Sequence, residues 1–155
     1  MIDTQWIAIT GAPSSGKTSV IDVLAAAGYA IQAEVARELI EQKLAAGQTL
    51  ADIRNPENTR ALQQEILASK TALESTQEPA EIIFMDRGIP DSLAYFRQAG
   101  LDTAPVETAA QKFRYRAVFL FDRLPLKADS VRTESDAAAQ QLEDMFMADY
   151  RRLGY

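Results

Sequence analysis

The sequence predicts an α/β fold of three layers, a mostly parallel sheet of four to five strands with helices on both faces. Two observations predict it. Short apolar runs alternate with longer amphipathic stretches along the chain, the pattern of successive strand–helix–strand units. The residues that follow those runs carry charge or phosphate-binding chemistry. Ligands gather at the carboxyl ends of parallel strands, so these segments should face one site. A length of 155 residues suits one domain with a sizeable core, over residues 1–155.

The elements follow in order. Trp6–Thr10 reads as a buried strand. The next eight residues are Gly11, Ala12, Pro13, Ser14, Ser15, Gly16, Lys17 and Thr18. They fit G-x-x-x-x-G-K-[ST], the Walker A phosphate loop, which marks a P-loop NTPase fold. Ser19–Ala27 reads as the helix that must follow, stopped by Gly28. Ala30–Ala33 reads as a second strand. Val35–Ala46 reads as a helix with Leu39, Ile40 and Leu44 on one face, stopped by Gly47. Asn55 caps a helix that opens on Pro56 and runs to about Ser75, with Leu62, Ile66, Leu67 and Leu73 inward. Glu78 and Pro79 break it. Glu81–Asp86 is apolar enough to be a central parallel strand. Asp91–Gln98 reads as a helix ending at Gly100, and Pro105–Tyr115 as another. Ala117–Phe121 is a fourth strand, followed by the polar stretch Asp122–Arg132. Glu134–Leu153 is a final helix with Leu142, Met145, Phe146 and Tyr150 as core, stopped by Gly154. Trp6 and the tyrosines read as packing residues.

Composition excludes several classes. A formal net charge of -6 argues against nucleic-acid binding, which needs a basic face. The chain has no cysteine, hence no disulfide framework and no thiolate metal site. It also has no histidine, so acid–base work falls to a carboxylate. The first residues lack the basic and apolar segments of a signal peptide, and no run approaches a membrane span. The expected location is cytoplasmic, without membrane partners.

The loop dictates chemistry. Its glycines let consecutive N–H groups wrap a polyphosphate, and the helix N-terminus adds its positive end. Gly11 to Ser19 are the expected nucleotide-binding residues, for ATP or GTP. Lys17 would reach the β- and γ-phosphates, and the Thr18 hydroxyl would ligate Mg²⁺. Asp86 closes an apolar strand and would hold Mg²⁺ directly or through water. Arg87, next to it, could clamp a phosphate or substrate bidentately. Glu34, at the end of the second strand, is the candidate general base, with Asp86 as its competitor. Arg37 lies three residues after Glu34 and can share its face as a substrate-binding group or a simple ion-pair partner. Arg123, Lys127 and Arg132 fall in a segment that could close as a lid over a triphosphate.

The motifs Ile9–Thr18, Glu34–Leu39, Met85–Tyr95 and Asp129–Glu134 occur in an order that resembles the NadR-like P-loop ATPase/kinase family, often labelled AAA-type. The resemblance spans essentially the whole chain. It implies a nucleoside- or nucleotide-kinase-like fold, with Glu34, Arg37, Asp86, Arg87 and Arg132 in the roles above. The family includes ribosylnicotinamide kinase domains. Nothing in the sequence matches the sensor or arginine-finger elements of a hexameric motor. Such domains usually continue into a fifth strand after the helix that here ends near Gly154, so the fourth strand is expected at an open edge and the choice of base, ATP or GTP, stays open. The expected activity is Mg-dependent transfer of a γ-phosphate to a nucleoside-like or other small hydroxyl-bearing acceptor. The alternative is an NTP hydrolase or nucleotide switch acting on a partner protein.

Overall fold

The computed structural model describes residues 1–13, 15–122 and 133–155. Its main sheet is formed by β2 (Ile7–Gly11), β3 (Ala30–Gln32), β4 (Ile83–Asp86) and β6 (Ala117–Phe121), in the order β3-β4-β2-β6. Every pairing is parallel. Alternating crossovers through helices make any other arrangement hard to connect. The register sets Ile9 beside Asp86 and Gly11 beside Phe121, which brings the loop after β2 level with the end of β4.

The helices are α1 (Lys17–Ala26), α2 (Val35–Ala45), α3 (Leu50–Arg54), α4 (Pro56–Thr76), α5 (Asp91–Gln98), α6 (Ala104–Ala110) and α7 (Thr133–Arg152). Ala8, Ile83 and Met85 point to one face of the sheet and pack with Trp6, Phe113, Tyr115 and Tyr150. Phe84 points to the other face and meets the Tyr29 ring edge-on at 5.2 Å. On α7, Phe146 is wholly buried with Leu142 and Ala94. Trimming such an aromatic side chain to alanine costs about 3–5 kcal/mol.

Four differences from the sequence pattern have physical causes. The helix expected over Pro105–Tyr115 ends at Ala110. Beyond it, β5 (Phe113–Arg114) pairs in parallel with β1 (Ile2–Asp3) as a separate two-stranded sheet. Phe113 is drawn out of helical register by Trp6, whose ring lies 4.8 Å away. The short α3 was not anticipated, yet Thr49 and Asp52 close a reciprocal capping box that starts it. Leu73, expected inward, is 39% exposed, and Leu44 equally so. The inward row of α4 instead continues from Leu62 and Ile66, in steps of four, to Lys70 and Glu74, both buried. Among the described residues, β6 is an end strand of the main sheet, as expected, and Phe119 on it is 54% exposed. No helix among the described residues is long and apolar enough to cross a membrane.

Candidate nucleotide-binding and phosphoryl-transfer site

The phosphate loop leaves the sheet at Gly11 and re-enters regular structure at Lys17, with Gly16 as the left-handed N-cap of α1. Among the described residues no side chain caps that helix, so its first N–H groups are open to a ligand. A Cβ on Gly11 would lie 2.5 Å from the Phe121 carbonyl oxygen and 3.0 Å from Ser15 Oγ. Only glycine allows β2 and β6 to approach this closely.

Lys17 folds back over the loop. Its Nζ donates to the carbonyls of Gly11 and Ala12, both at 2.8 Å, and to Ser15 Oγ at 3.1 Å. Burial pushes its pKa down to about 8, with the Arg87 guanidinium adding to the effect and Asp86, Glu34 and Asp91 opposing it. Thr18 and Ser19 are exposed at the start of α1, and Ala12 and Ser15 are buried under the loop. Ser14 lies outside the described residues.

Three strand ends meet here. Pro13, Ser15, Gly16, Lys17 and Thr18 from the first, Glu34 and Arg37 from the second, and Asp86 and Arg87 from the third line one cleft of about 460 Å³. At the fourth strand end, Asp122 is exposed, and Arg123, Lys127 and Arg132 lie outside the described residues.

Glu34 is the N-cap residue of α2 but makes no capping bond with its side chain. Its carboxylate turns instead to Arg87, whose Nε donates to Oε1 at 2.8 Å. Arg37 Nη2 stands 3.7 Å from Oε2, an exposed pair of little energetic weight. Arg87 is buried, with its guanidinium 5.5 Å from the Phe146 ring and 5.9 Å from the Tyr95 ring. Burial works against its charge, but Tyr95, Asp91 and Glu34 more than offset it and hold the group firmly protonated. Arg87 Nη1 is buried and has no partner among the described residues. The backbone there has φ 71, in the left-handed region that side chains disfavour.

Asp86 is buried, and its Oδ1 also lacks a partner among the described residues. Burial raises its pKa, and the nearby Glu34 charge adds to the rise. An orphaned carboxylate oxygen beside an orphaned guanidinium nitrogen fits a site built for a cation and an anion together. Among the described residues no cluster of three or more His, Cys, Asp or Glu side chains could hold a metal alone. That donor set suits Mg²⁺, which binds through one or two protein oxygens, water and substrate phosphates. The Thr18 hydroxyl and the Asp86 carboxylate, both in the cleft, are oxygens that could hold it.

A second, more enclosed pocket of about 220 Å³ opens behind Glu34 and Arg87. Ile40, Leu62 and Ile66 form an apolar wall, and Gln63, Ser92 and Tyr95 supply polar atoms. Tyr95 lines both cavities, so it is more than the packing residue expected from sequence. The signal was its position four residues after Asp91 on a helix that opens at the site.

A parallel sheet with a glycine-bounded phosphate loop, and an acidic strand end level with that loop, define a P-loop NTPase fold. The chain belongs to the AAA domain family, whose model matches residues 6–155. Among solved structures it is similar to a NadR protein in complex with NR, at 16% identity and a TM-score of 0.70, over 97% of this chain and 43% of that one. It is also similar to a NadR protein in complex with NAD and AMP-PNP, at 14% identity and a TM-score of 0.67, over 97% of this chain and 42% of that one. The chain therefore spans less than half the length of these neighbours. No curated protein matches it.

Proposed function

We propose that this domain is an ATP-binding, Mg-dependent phosphotransferase of the small-molecule kinase type. The observation that carries the reading is the meeting of Glu34, Arg87 and Asp86 at the phosphate loop, with an enclosed pocket immediately behind them. A hydrolase needs room for one water; a pocket of about 220 Å³ with an apolar wall suits the body of an organic acceptor.

In this reading the loop amides and Lys17 hold the β- and γ-phosphates. Mg²⁺ on Thr18 and Asp86 would supply charge neutralisation on the phosphate oxygens. The acceptor lies with its apolar part against Ile40, Leu62 and Ile66 and its hydroxyl toward Glu34. Glu34 receives the hydroxyl proton as general base. Arg87, through the Nη1 that has no partner among the described residues, binds the transferring phosphoryl group or the acceptor. Arg37, more exposed, contributes at the cleft mouth. Most of the rate enhancement comes from positioning and preorganised charge. The NR and AMP-PNP named in the NadR complexes support a nucleoside-like acceptor and ATP as donor.

The test is a screen with γ-labelled ATP and a panel of nucleosides and other small alcohols. Label in an organic product, lost in Glu34→Gln, is the expected result. Label released only as inorganic phosphate with every acceptor would replace this reading with the hydrolase.

A further inference from the structure

Asp86 and Arg87 reach the cleft from a turn that is gripped from behind. Lys70 Nζ donates to the Gly88 carbonyl at 2.9 Å. The Ile89 N–H donates to the Tyr115 hydroxyl at 2.9 Å, and that hydroxyl donates to Glu74 Oε1 at 2.6 Å. Beyond the turn, Asp91 accepts from Thr10 of the phosphate-loop strand and from Tyr150. The Gly88 backbone is pressed so close that an added Cβ would lie 2.6 Å from Tyr115 Cε2 and 2.8 Å from the Tyr150 hydroxyl.

These groups are costly choices. Lys70 and Glu74 are 3% and 1% exposed, and buried charges destabilise a fold unless their hydrogen bonds are met. Apolar residues would continue the Leu62–Ile66 row of α4 more cheaply. Both polar side chains are directed at one turn, and that turn holds the left-handed Arg87. A strained backbone persists only where its surroundings fix it. None of Lys70, Glu74 and Tyr115 lines the phosphate cleft, although Lys70 borders the inner pocket.

We propose that Lys70, Glu74 and Tyr115 are positioning residues that hold the turn at Asp86–Ile89, and so set how well Asp86 meets a divalent cation and Arg87 a phosphate group. What the turn does rests on the phosphotransferase reading; how it is held does not. Outer-shell groups of this kind commonly change metal affinity without touching the metal.

Tyr115→Phe removes one hydroxyl, and Lys70→Met removes the ammonium while keeping its stem. Each variant is measured by thermal melting, by amide hydrogen exchange at Ile89, and by calorimetry with AMP-PNP across a Mg²⁺ titration. Both should melt cooperatively, with the Ile89 amide of Tyr115→Phe exchanging roughly ten-fold faster. The Mg²⁺ midpoint for AMP-PNP should rise about ten-fold in both. Metal-free AMP-PNP affinity, set mainly by the loop and Lys17, should fall by less than the Mg²⁺ midpoint rises, since only the Arg87 contact is loosened. Glu74→Met removes the acceptor for Tyr115 while keeping the volume, so its Ile89 exchange and its Mg²⁺ midpoint should rise as in Tyr115→Phe, and it serves if either other variant fails to fold. A lowered melting temperature with Ile89 still protected and an unmoved Mg²⁺ midpoint would overturn the proposal, because that is a merely structural role. A wild-type protein that binds no AMP-PNP at any Mg²⁺ concentration would sink the functional reading, while exchange at Ile89 still decides whether the turn is held as described.

Discussion

Arg87 Nε and Glu34 Oε1 stand 2.8 Å apart, an ion pair that ties the turn after β4 to the first residue before α2. The pair spans the boundary between the phosphate cleft and the inner pocket, since both residues line both cavities. It fixes the carboxylate at that boundary and leaves Arg87 Nη1 without a partner among the described residues.

Glu34→Gln should therefore separate chemistry from nucleotide binding. Loss of a general base lowers turnover by roughly 10²–10⁴. The affinity for AMP-PNP, which the loop sets, should change by less than about three-fold. The neutral amide still accepts from Arg87, so stability should fall by only about 1–3 kcal/mol. Steady-state rates beside a calorimetric affinity check this, and unchanged turnover would remove Glu34 from the mechanism.

Lys17 gives the site a pH limit. Its pKa in the free protein is lowered to about 8, first by burial and then by Arg87. Only the charged form attracts phosphate, so ATP affinity should be flat below that value and fall as pH rises through it, about ten-fold per unit at the steepest. Lys17→Ala should abolish the inflection and weaken binding roughly 100-fold or more, with the fold retained. An ATP affinity that is unchanged in Lys17→Ala would remove Lys17 from phosphate binding and sink the site described at the loop.

Glu74 makes stability depend on pH in the opposite direction from an ordinary surface carboxylate. Burial raises its pKa to about 7, against hydrogen bonds from Tyr115 and Ile89 that favour the charged form. The folded state then binds more protons than the unfolded one between about 4.5 and 7. The contribution of Glu74 is fully present below that window and is lost as pH rises through it. Glu74→Gln should flatten the fall in melting temperature across this range. A wild-type melting temperature that climbs steadily from pH 5 to 7, unaltered in Glu74→Gln, would mean that Glu74 titrates near its ordinary value.

Much of this was legible in the sequence because the signals were local. The phosphate loop is defined by its own spacing, and strand ends can be read from apolar runs, so the convergence of Lys17, Glu34, Asp86 and Arg87 on one cleft is legible without coordinates. The helix stripe on α7 was right because Leu142, Phe146 and Tyr150 recur at helical spacing. The misreadings have a common origin in long-range contacts. Phe113 becomes a strand residue because Trp6 and β1 are there to receive it. Lys70 and Glu74 are not legible as buried because charge on a helix normally means solvent; their partners lie on the turn at Gly88 and at Tyr115, between β5 and β6. Leu73 was assigned inward by hydrophobicity alone, although the row Leu62, Ile66, Lys70 and Glu74 shows which face is buried. Tyr95 lines both cavities because α5 starts where the third strand end opens into the cleft.

Two glycine substitutions test whether the close approach of β2 and β6 shapes the phosphate loop. Gly11 has φ 144, and an added Cβ would meet the Phe121 carbonyl oxygen at 2.5 Å, a backbone atom that moves only if β6 moves. Gly28 has φ 88 with nothing within 4 Å of an added Cβ, so alanine there suffers conformational strain alone. Strain of that kind costs about 1–2 kcal/mol. Gly11→Ala adds an overpacking cost of about 1–3 kcal/mol to a similar strain. Each kcal/mol lowers the melting temperature of a domain this size by roughly 2–4 °C. Gly11→Ala should therefore melt well below Gly28→Ala and lose AMP-PNP binding, while Gly28→Ala keeps it. Equal melting temperatures with AMP-PNP binding intact in both would show that the strand contact at Phe121 yields freely and does not shape the loop.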